Sequence, residues 1–339
     1  MMTRHGETPL DGADLVLADL DGVVYRGRLA IPHAVESLNQ VAESIPVGYL
    51  TNNASRTVDT VAAQLRAFGL RVRPAEIVSS PQAAVRLLSG LVAPESLIFV
   101  LGGEGLVEEL HKAGYPVTRS ADDGPAALVQ GFSPDIGWRD LAEAAFALQF
   151  AQRTNPAGIP WVATNTDWTL PVERGIAPGA GTLVSAVHSA VGRLPVVAGK
   201  PEAAIFDEAR SRFGASSPLF IGDRLDTDIL GANRAGMAAA MVLTGVDGAK
   251  QLLAANAESR PRYILEDLRG LHHRYPDTGF SRDRGTATVG RSAVRITANA
   301  VEIAREGEGG IDLLRAACAA IWASGKQIYA LTVPERLFE

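Results

Sequence analysis

A single cysteine, Cys318, stands in 339 residues, so no disulfide can close within one chain and a cysteine-built structural zinc site is excluded. Positive charge is not in excess either. The formal net charge is -6, which leaves no broad basic surface for a nucleic-acid backbone or an anionic membrane, although one cleft can still be locally positive. No apolar run is long enough to span a bilayer, so membrane insertion is not expected. The first fourteen residues carry Arg4, Glu7, Asp11 and Asp14 and no apolar stretch, unlike a secretory signal. A cytoplasmic protein is the expectation. No internal repeat is present, and assembly into a homo-oligomer stays open.

The chain does have enough apolar content for a sizeable core. Hydrophobic residues make up 47% and charged residues 21%, the balance of a folded globular protein, and the length suits two or three domains. Short apolar runs alternate with helical spacings. Residues 14–19 read as a buried strand ending in acid, 34–41 as a helix opened by Pro32, 47–50 as a strand and 57–68 as a helix closed by Gly69. The same alternation returns at 195–199, 201–213, 218–221, 227–235 and 239–243. Strand-helix repeats imply a parallel sheet whose ligands sit beyond the carboxyl ends of its strands.

Residues 82–194 carry an α/β pattern of their own, with strands at 97–101, 127–129 and 161–164 and helices near 105–112 and 138–152. The expected organisation is therefore a core at 14–81 and 195–271, interrupted by an inserted domain at 82–194 that would act as a lid. A linker at 272–285 follows, and then a small C-terminal domain at 286–339. Within that tail, strands are expected at 288–296, 300–304 and 327–333, with a helix at 312–323.

Chemistry-bearing residues gather at the strand ends. Asp19 and Asp21 lie two apart beside Gly22; Thr51, Asn52 and Asn53 follow the second strand; Lys200 sits in Gly199-Lys200-Pro201; Asp223, Asp226 and Asp228 follow Gly222. Phosphoryl transfer needs a hard cation held by oxygens, donors around the phosphoryl oxygens and a nucleophile in line. This inventory supplies all three. Asp19, Asp223 and the main-chain carbonyl of Asp21 can hold Mg²⁺ while one Asp19 oxygen stays available to attack.

In order, Asp-Leu-Asp-Gly-Val, Thr-Asn-Asn, Gly-Lys-Pro and Gly-Asp-Arg-Leu-Asp-Thr-Asp-Ile resemble the four motifs of the haloacid dehalogenase superfamily, and the last is similar to its NagD-like branch. The segments 163–167 and 175–181 resemble the end of that branch's cap. The resemblance spans 14–270 and implies a Rossmann-like α/β core with an inserted α/β cap, followed here by a small C-terminal α+β extension. It also implies a magnesium-dependent phosphatase acting on a small phosphorylated metabolite, with Mn²⁺ or Co²⁺ as substitute metals. Asp19 would be the nucleophile and Asp21 the acid and base. Thr51, Asn52, Asn53 and Lys200 would bind the phosphoryl group. Asp223 would join Asp19 and Asp21 at the metal, with Asp228 in support. The added tail resembles that of actinobacterial glycerol 3-phosphate phosphatases, whose extra domain looks like a fragment of an acetyltransferase fold. Asn165, Asp167, Trp168, Leu170 and Arg174 are expected to face the non-phosphate end of the substrate.

Plainer readings compete at each position. An acid pair before glycine can be a simple Asx turn, and Asp226 suits a helix start without chemistry. Arg4-His5-Gly6-Glu7 resembles a histidine-phosphatase signature, yet no strand precedes it. Gly102-Gly103-Glu104-Gly105 lacks dinucleotide-binding spacing and reads as a turn into a helix. A dehalogenase would not need Asp21 or Asp223, and a phosphonatase would need a cap lysine that the specificity loop lacks. Other substrates within the same chemistry are 2-phosphoglycolate, a sugar phosphate and a nucleoside monophosphate. The rival of another class is a regulatory scaffold that binds partners through its C-terminal module.

Overall fold

Leu15–Asp19 and Pro218–Gly222 are apolar runs too short for helices, and both are buried along their whole length, as strands covered on both faces must be. The computed structural model that contains them describes residues 7–172 and 174–338; Arg4, His5 and Gly6 lie outside that range. Contacts divide the chain into one unit of Met1–Val47 with Ala215–Glu339 and a second of Gly48–Gly214. Among the described residues no helix is long and apolar enough to cross a membrane.

In the first unit, Tyr263–Leu265, Ala238–Val242, Pro218–Gly222 and Leu15–Asp19 lie side by side in that order, all parallel. Ala18 pairs with Ile221 and Ile221 with Ala240. The register therefore brings the carboxyl end of each strand, and the polar loop after it, to one edge of the sheet. The expected helix at 227–235 has a different start. Leu225–Ile229 forms a wide π-helical turn before the α-helix Leu230–Arg234, with the Asp228 and Ile229 N–H groups both donating to the Arg224 carbonyl.

The tail departs from its expected elements in three places. Residues 288–296 form not one strand but two, Thr286–Val289 and Ser292–Thr297, because Gly290 turns the chain at a φ of 53°. Thr278–Phe280, inside the expected linker, is a strand, so the antiparallel sheet has four members ending with Ala300–Arg305. Residues 327–333 hold a short 3-10 turn at Ile328–Ala330, closed by local hydrogen bonds to the Gln327 and Ile328 carbonyls, and sheet pairing there is reduced to a parallel bridge in which the Thr332 N–H donates to the Asn299 carbonyl and the Thr332 carbonyl accepts from the Val301 N–H. The helix Gly310–Ser324 buries Leu313, Ala317, Cys318 and Ile321. It is tied down by Arg315, whose guanidinium donates to the Ile264 carbonyl at 2.9 and 2.7 Å, and by the Trp322 indole N–H, which donates to the Leu252 carbonyl at 3.2 Å.

In the second unit, Tyr49, Leu50 and Thr51 pair in parallel with Ile77, Val78 and Ser79. Thr57 caps the helix Val58–Ala67, its side chain accepting from the Thr60 N–H. A separate parallel sheet orders Val196–Val197, Trp161–Ala163, Ala127–Gln130, Ile98–Leu101 and Val117–Thr118. Phe99, Leu128, Leu148, Trp161 and Val184 fill its core with the helices Trp138–Thr154 and Ala180–Val191. Residues 195–199 contribute only Val196–Val197, and that strand pairs with Trp161–Ala163; an apolar run alone does not reveal which sheet it joins. Gly102-Gly103 does lead into a helix, Glu104–Lys112.

Candidate active site

Three buried aspartates converge in the first unit. Asp19, Asp223 and Asp228 each bring a carboxylate oxygen within 4.8 Å of the others, and their relative exposures are 7%, 1% and 0%. Negative charges this close and this dry repel one another, and a cation placed among them relieves the repulsion. Carboxylate oxygens are also the donors that hard divalent cations prefer. The donor set therefore fits magnesium better than a soft metal.

Glycine makes the room. Gly22 has a φ of +84°, and a Cβ there would sit 2.2 Å from Asp223 Oδ2; one on Gly245 would sit 1.8 Å from the same oxygen. At Gly222 a Cβ would lie 2.3 Å from that of Asp228. Bare backbone on three sides is what lets these carboxylates pack so closely. Their directions are set by main-chain donors. Asp228 Oδ2 accepts from the N–H groups of Asp223 and Arg224 at 3.1 and 3.2 Å, and Asp223 Oδ2 accepts from Val246 N–H at 2.7 Å. The π-turn folds Asp228 back onto the strand end.

Asp21 differs from the buried trio. Its side chain is exposed and accepts from the Tyr25 hydroxyl at 3.3 Å. Asp226 is also exposed and pairs with Arg224, which agrees with its plainer reading. Asp247 was not found from sequence. It accepts from Leu225 N–H at 2.7 Å, and burial, with Asp226 and Asp228 nearby, pushes its carboxyl above the ordinary range despite that bond and the charge of Arg224. The signal that could reveal it is the polar loop after the strand Ala238–Val242, which the register delivers to the same edge.

The second unit holds the remaining expected residues. Thr51 and Lys200 are buried at 3% exposure each. Asn52 is committed to structure: its Oδ1 accepts from Lys200 N–H at 2.9 Å, while its Nδ2 donates to the Lys200 carbonyl at 3.1 Å and to the Asp167 carboxylate at 3.1 and 3.2 Å. Its side chain thus orients Lys200 rather than standing ready for a ligand. The Asn53 side chain likewise caps Ser55, accepting from that residue's N–H and hydroxyl. Asn165 donates to the Asn52 carbonyl at 2.7 Å, so Asn165 and Asp167 belong to the same network. Beyond it, Trp168, Arg174 and Ile176 are exposed on or beside the hairpin Thr169–Val172 and Gly175–Pro178, and Leu170 is half-buried.

Comparison with known proteins is consistent with this arrangement. Residues 16–116 match the family described as haloacid dehalogenase-like hydrolase, and residues 197–271 match a HAD-hydrolase-like family. The chain is 42% identical to D-glycerol 3-phosphate phosphatase of Mycobacterium tuberculosis, over 91% of this chain and 86% of that protein. The chain belongs to the haloacid dehalogenase-like hydrolase family. This hydrolase is also 31% identical to an acid sugar phosphatase of Staphylococcus haemolyticus, over 74% of the chain and 92% of that protein. Its fold matches the crystal structure of a Mycobacterium tuberculosis glycerol phosphate phosphatase in complex with magnesium, with a TM-score of 0.84, 38% identity and coverage of 97% of this hydrolase and 95% of the other chain.

Proposed function

We propose that this hydrolase is a magnesium-dependent phosphatase that cleaves glycerol 3-phosphate through a phosphorylated Asp19. The observation that carries the reading is the buried convergence of Asp19, Asp223 and Asp228. Asp19, Asp223 and the main-chain carbonyl of Asp21 would hold the ion, with Asp228 keeping Asp223 in place. Magnesium, when bound, supplies concentrated positive charge against phosphoryl oxygens.

A carboxylate oxygen of Asp19 attacks phosphorus, and the bond from phosphorus to the leaving alkoxide breaks. Asp21 gives that alkoxide its proton. Water then attacks phosphorus, Asp21 takes a proton from it, and the acyl-phosphate bond breaks to return the Asp19 carboxylate and inorganic phosphate. Lys200 neutralises the phosphoryl group, and the Thr51 hydroxyl hydrogen-bonds it. Asn52 and Asn53 act on it through the main chain they order.

In this reading 14–81 and 195–271 form the catalytic core, 82–194 the cap, 272–285 the connection and 286–339 the added module. A cytoplasmic location suits a chain whose one cysteine is buried. The glycerol 3-phosphate preference is supported by the likeness to the mycobacterial enzyme; the staphylococcal relative makes a sugar phosphate the competitor. Phosphate release should be measured from glycerol 3-phosphate, a sugar phosphate, 2-phosphoglycolate and a nucleoside monophosphate, with and without Mg²⁺. The expected result is metal-dependent turnover with the highest kcat/KM on glycerol 3-phosphate. Turnover indifferent to chelation would refute the metal's role, and a higher kcat/KM on a sugar phosphate would refute the substrate.

A further inference from the structure

A cavity of about 380 Å³ opens in the first unit where the C-terminal helix meets the segment 260–264. Arg260, Arg262 and Arg315 line it, and none of its lining residues is acidic. In a chain of net charge -6 that is a concentrated reversal of sign. The proposed catalytic chemistry uses none of these arginines.

Aromatic faces hold the guanidinium groups in place. Arg260 lies 5.4 Å over the Trp322 ring, Arg315 lies 4.5 Å over Tyr275, and Arg262 lies 5.3 Å over Tyr263. Stacking of this kind restrains a side chain that otherwise loses much rotamer entropy on binding. Arg315 shares its charge with Asp312 at 2.7 Å. Among the described residues neither Arg260 nor Arg262 forms a salt bridge. Two stacked and unneutralised guanidiniums beside a third, around a cavity large enough for a metabolite, are suited to bidentate recognition of phosphate oxygens. A neutral or cationic ligand would find no matching charge.

We propose that this cavity is a second anion site, taking a small phosphate-bearing ligand of two or more negative charges. The phosphate oxygens meet Arg260 and Arg262, and the partly exposed Phe280 borders the rest of the molecule.

Isothermal titration calorimetry on the full-length protein in chelator, with pyrophosphate, inorganic phosphate and citrate as probes and glycerol as the neutral control, tests the assignment. The Arg260→Ala/Arg262→Ala double variant and the exposed-site variant Arg262→Glu accompany the wild type. Their thermal midpoints establish folding, and their turnover of glycerol 3-phosphate should match the wild type. Pyrophosphate is expected to bind more tightly than phosphate or citrate, to weaken as salt is raised, and to bind each variant at least about tenfold less tightly. Wild-type affinity in both folded variants would put the anion elsewhere and overturn the proposal. So would citrate binding as well as pyrophosphate, since simple charge attraction would then account for it, or no heat with any probe.

Discussion

Asn52 holds both main-chain groups of Lys200, accepting from its N–H at 2.9 Å and donating to its carbonyl at 3.1 Å. A reciprocal amide pair of this kind fixes the two peptide units that flank one α-carbon, and the lysine side chain inherits that placement. Asp167 takes the rest of the Asn52 amide, so the segment after Trp161–Ala163 and the one before the helix Ala203–Phe213 are joined through a single side chain.

Replacing Asn52 by alanine is therefore expected to act through Lys200. Two partners of a buried lysine backbone would be lost, and a cation misplaced by an ångström can cost about 100-fold in rate. Steady-state kinetics on Asn52→Ala should show a fall in kcat of about that size, with native circular dichroism. Unchanged kcat would show that Lys200 keeps its place without Asn52.

Gly245 tests the packing around Asp223. An alanine there would press its Cβ to 1.8 Å from Asp223 Oδ2, so the carboxylate must move. Misdirected ligands typically cost about 10- to 100-fold in metal affinity. A magnesium titration of activity should shift by that factor in Gly245→Ala, while Gly309→Ala, whose added Cβ meets nothing within 4 Å, should titrate as wild type.

Acid stability should depend on Glu208. Burial works to raise its carboxyl, yet hydrogen bonds from Arg86 and Arg212 and the charges of those residues hold it below the usual range. The unfolded chain binds the proton more readily, so ionised Glu208 stabilises the fold above the unfolded pKa of about 4.3 and ceases to as pH falls through the depressed folded value. Arg86 is half in solvent, so salt will shrink the effect. Thermal midpoints from pH 6 to pH 3 should fall more steeply for wild type than for Glu208→Gln; parallel slopes would contradict the coupling.

The C-terminal module is expected to be a structural part of its unit. Removing 276–339 takes away Arg315 and Trp322, the partners of the Ile264 and Leu252 carbonyls, and uncovers the apolar surface packed beneath the helix Gly310–Ser324. The shortened chain should melt earlier and aggregate more readily in a scattering-monitored melt. Equal midpoints would show that the module contributes nothing to the unit's stability.

Much of this architecture can be read from residue order because apolar runs capped by acid, such as Leu15–Asp19 and Pro218–Gly222, are both strand and site at once. What stays hidden is what depends on distant closeness. Nothing in Thr244-Gly245-Val246-Asp247 marks it as a neighbour of Asp223 until parallel pairing brings the loops together. The role of Asn52 is hidden for the same reason, since its partners lie 115 and 148 residues away. Thr278–Phe280 reads as linker because its glycine and polar flanks carry no strand signal, and its pairing with Thr286–Val289 comes from the hairpin that follows.

Asp19→Asn is the most direct test of the central claim. The amide keeps the shape of the side chain while removing the nucleophilic carboxylate, so the variant should fold like the wild type. Its initial rate of phosphate release from glycerol 3-phosphate in saturating Mg²⁺ is expected to fall by about 10³-fold or more. A folded Asp19→Asn protein that still hydrolyses the ester at close to the wild-type rate would contradict the account.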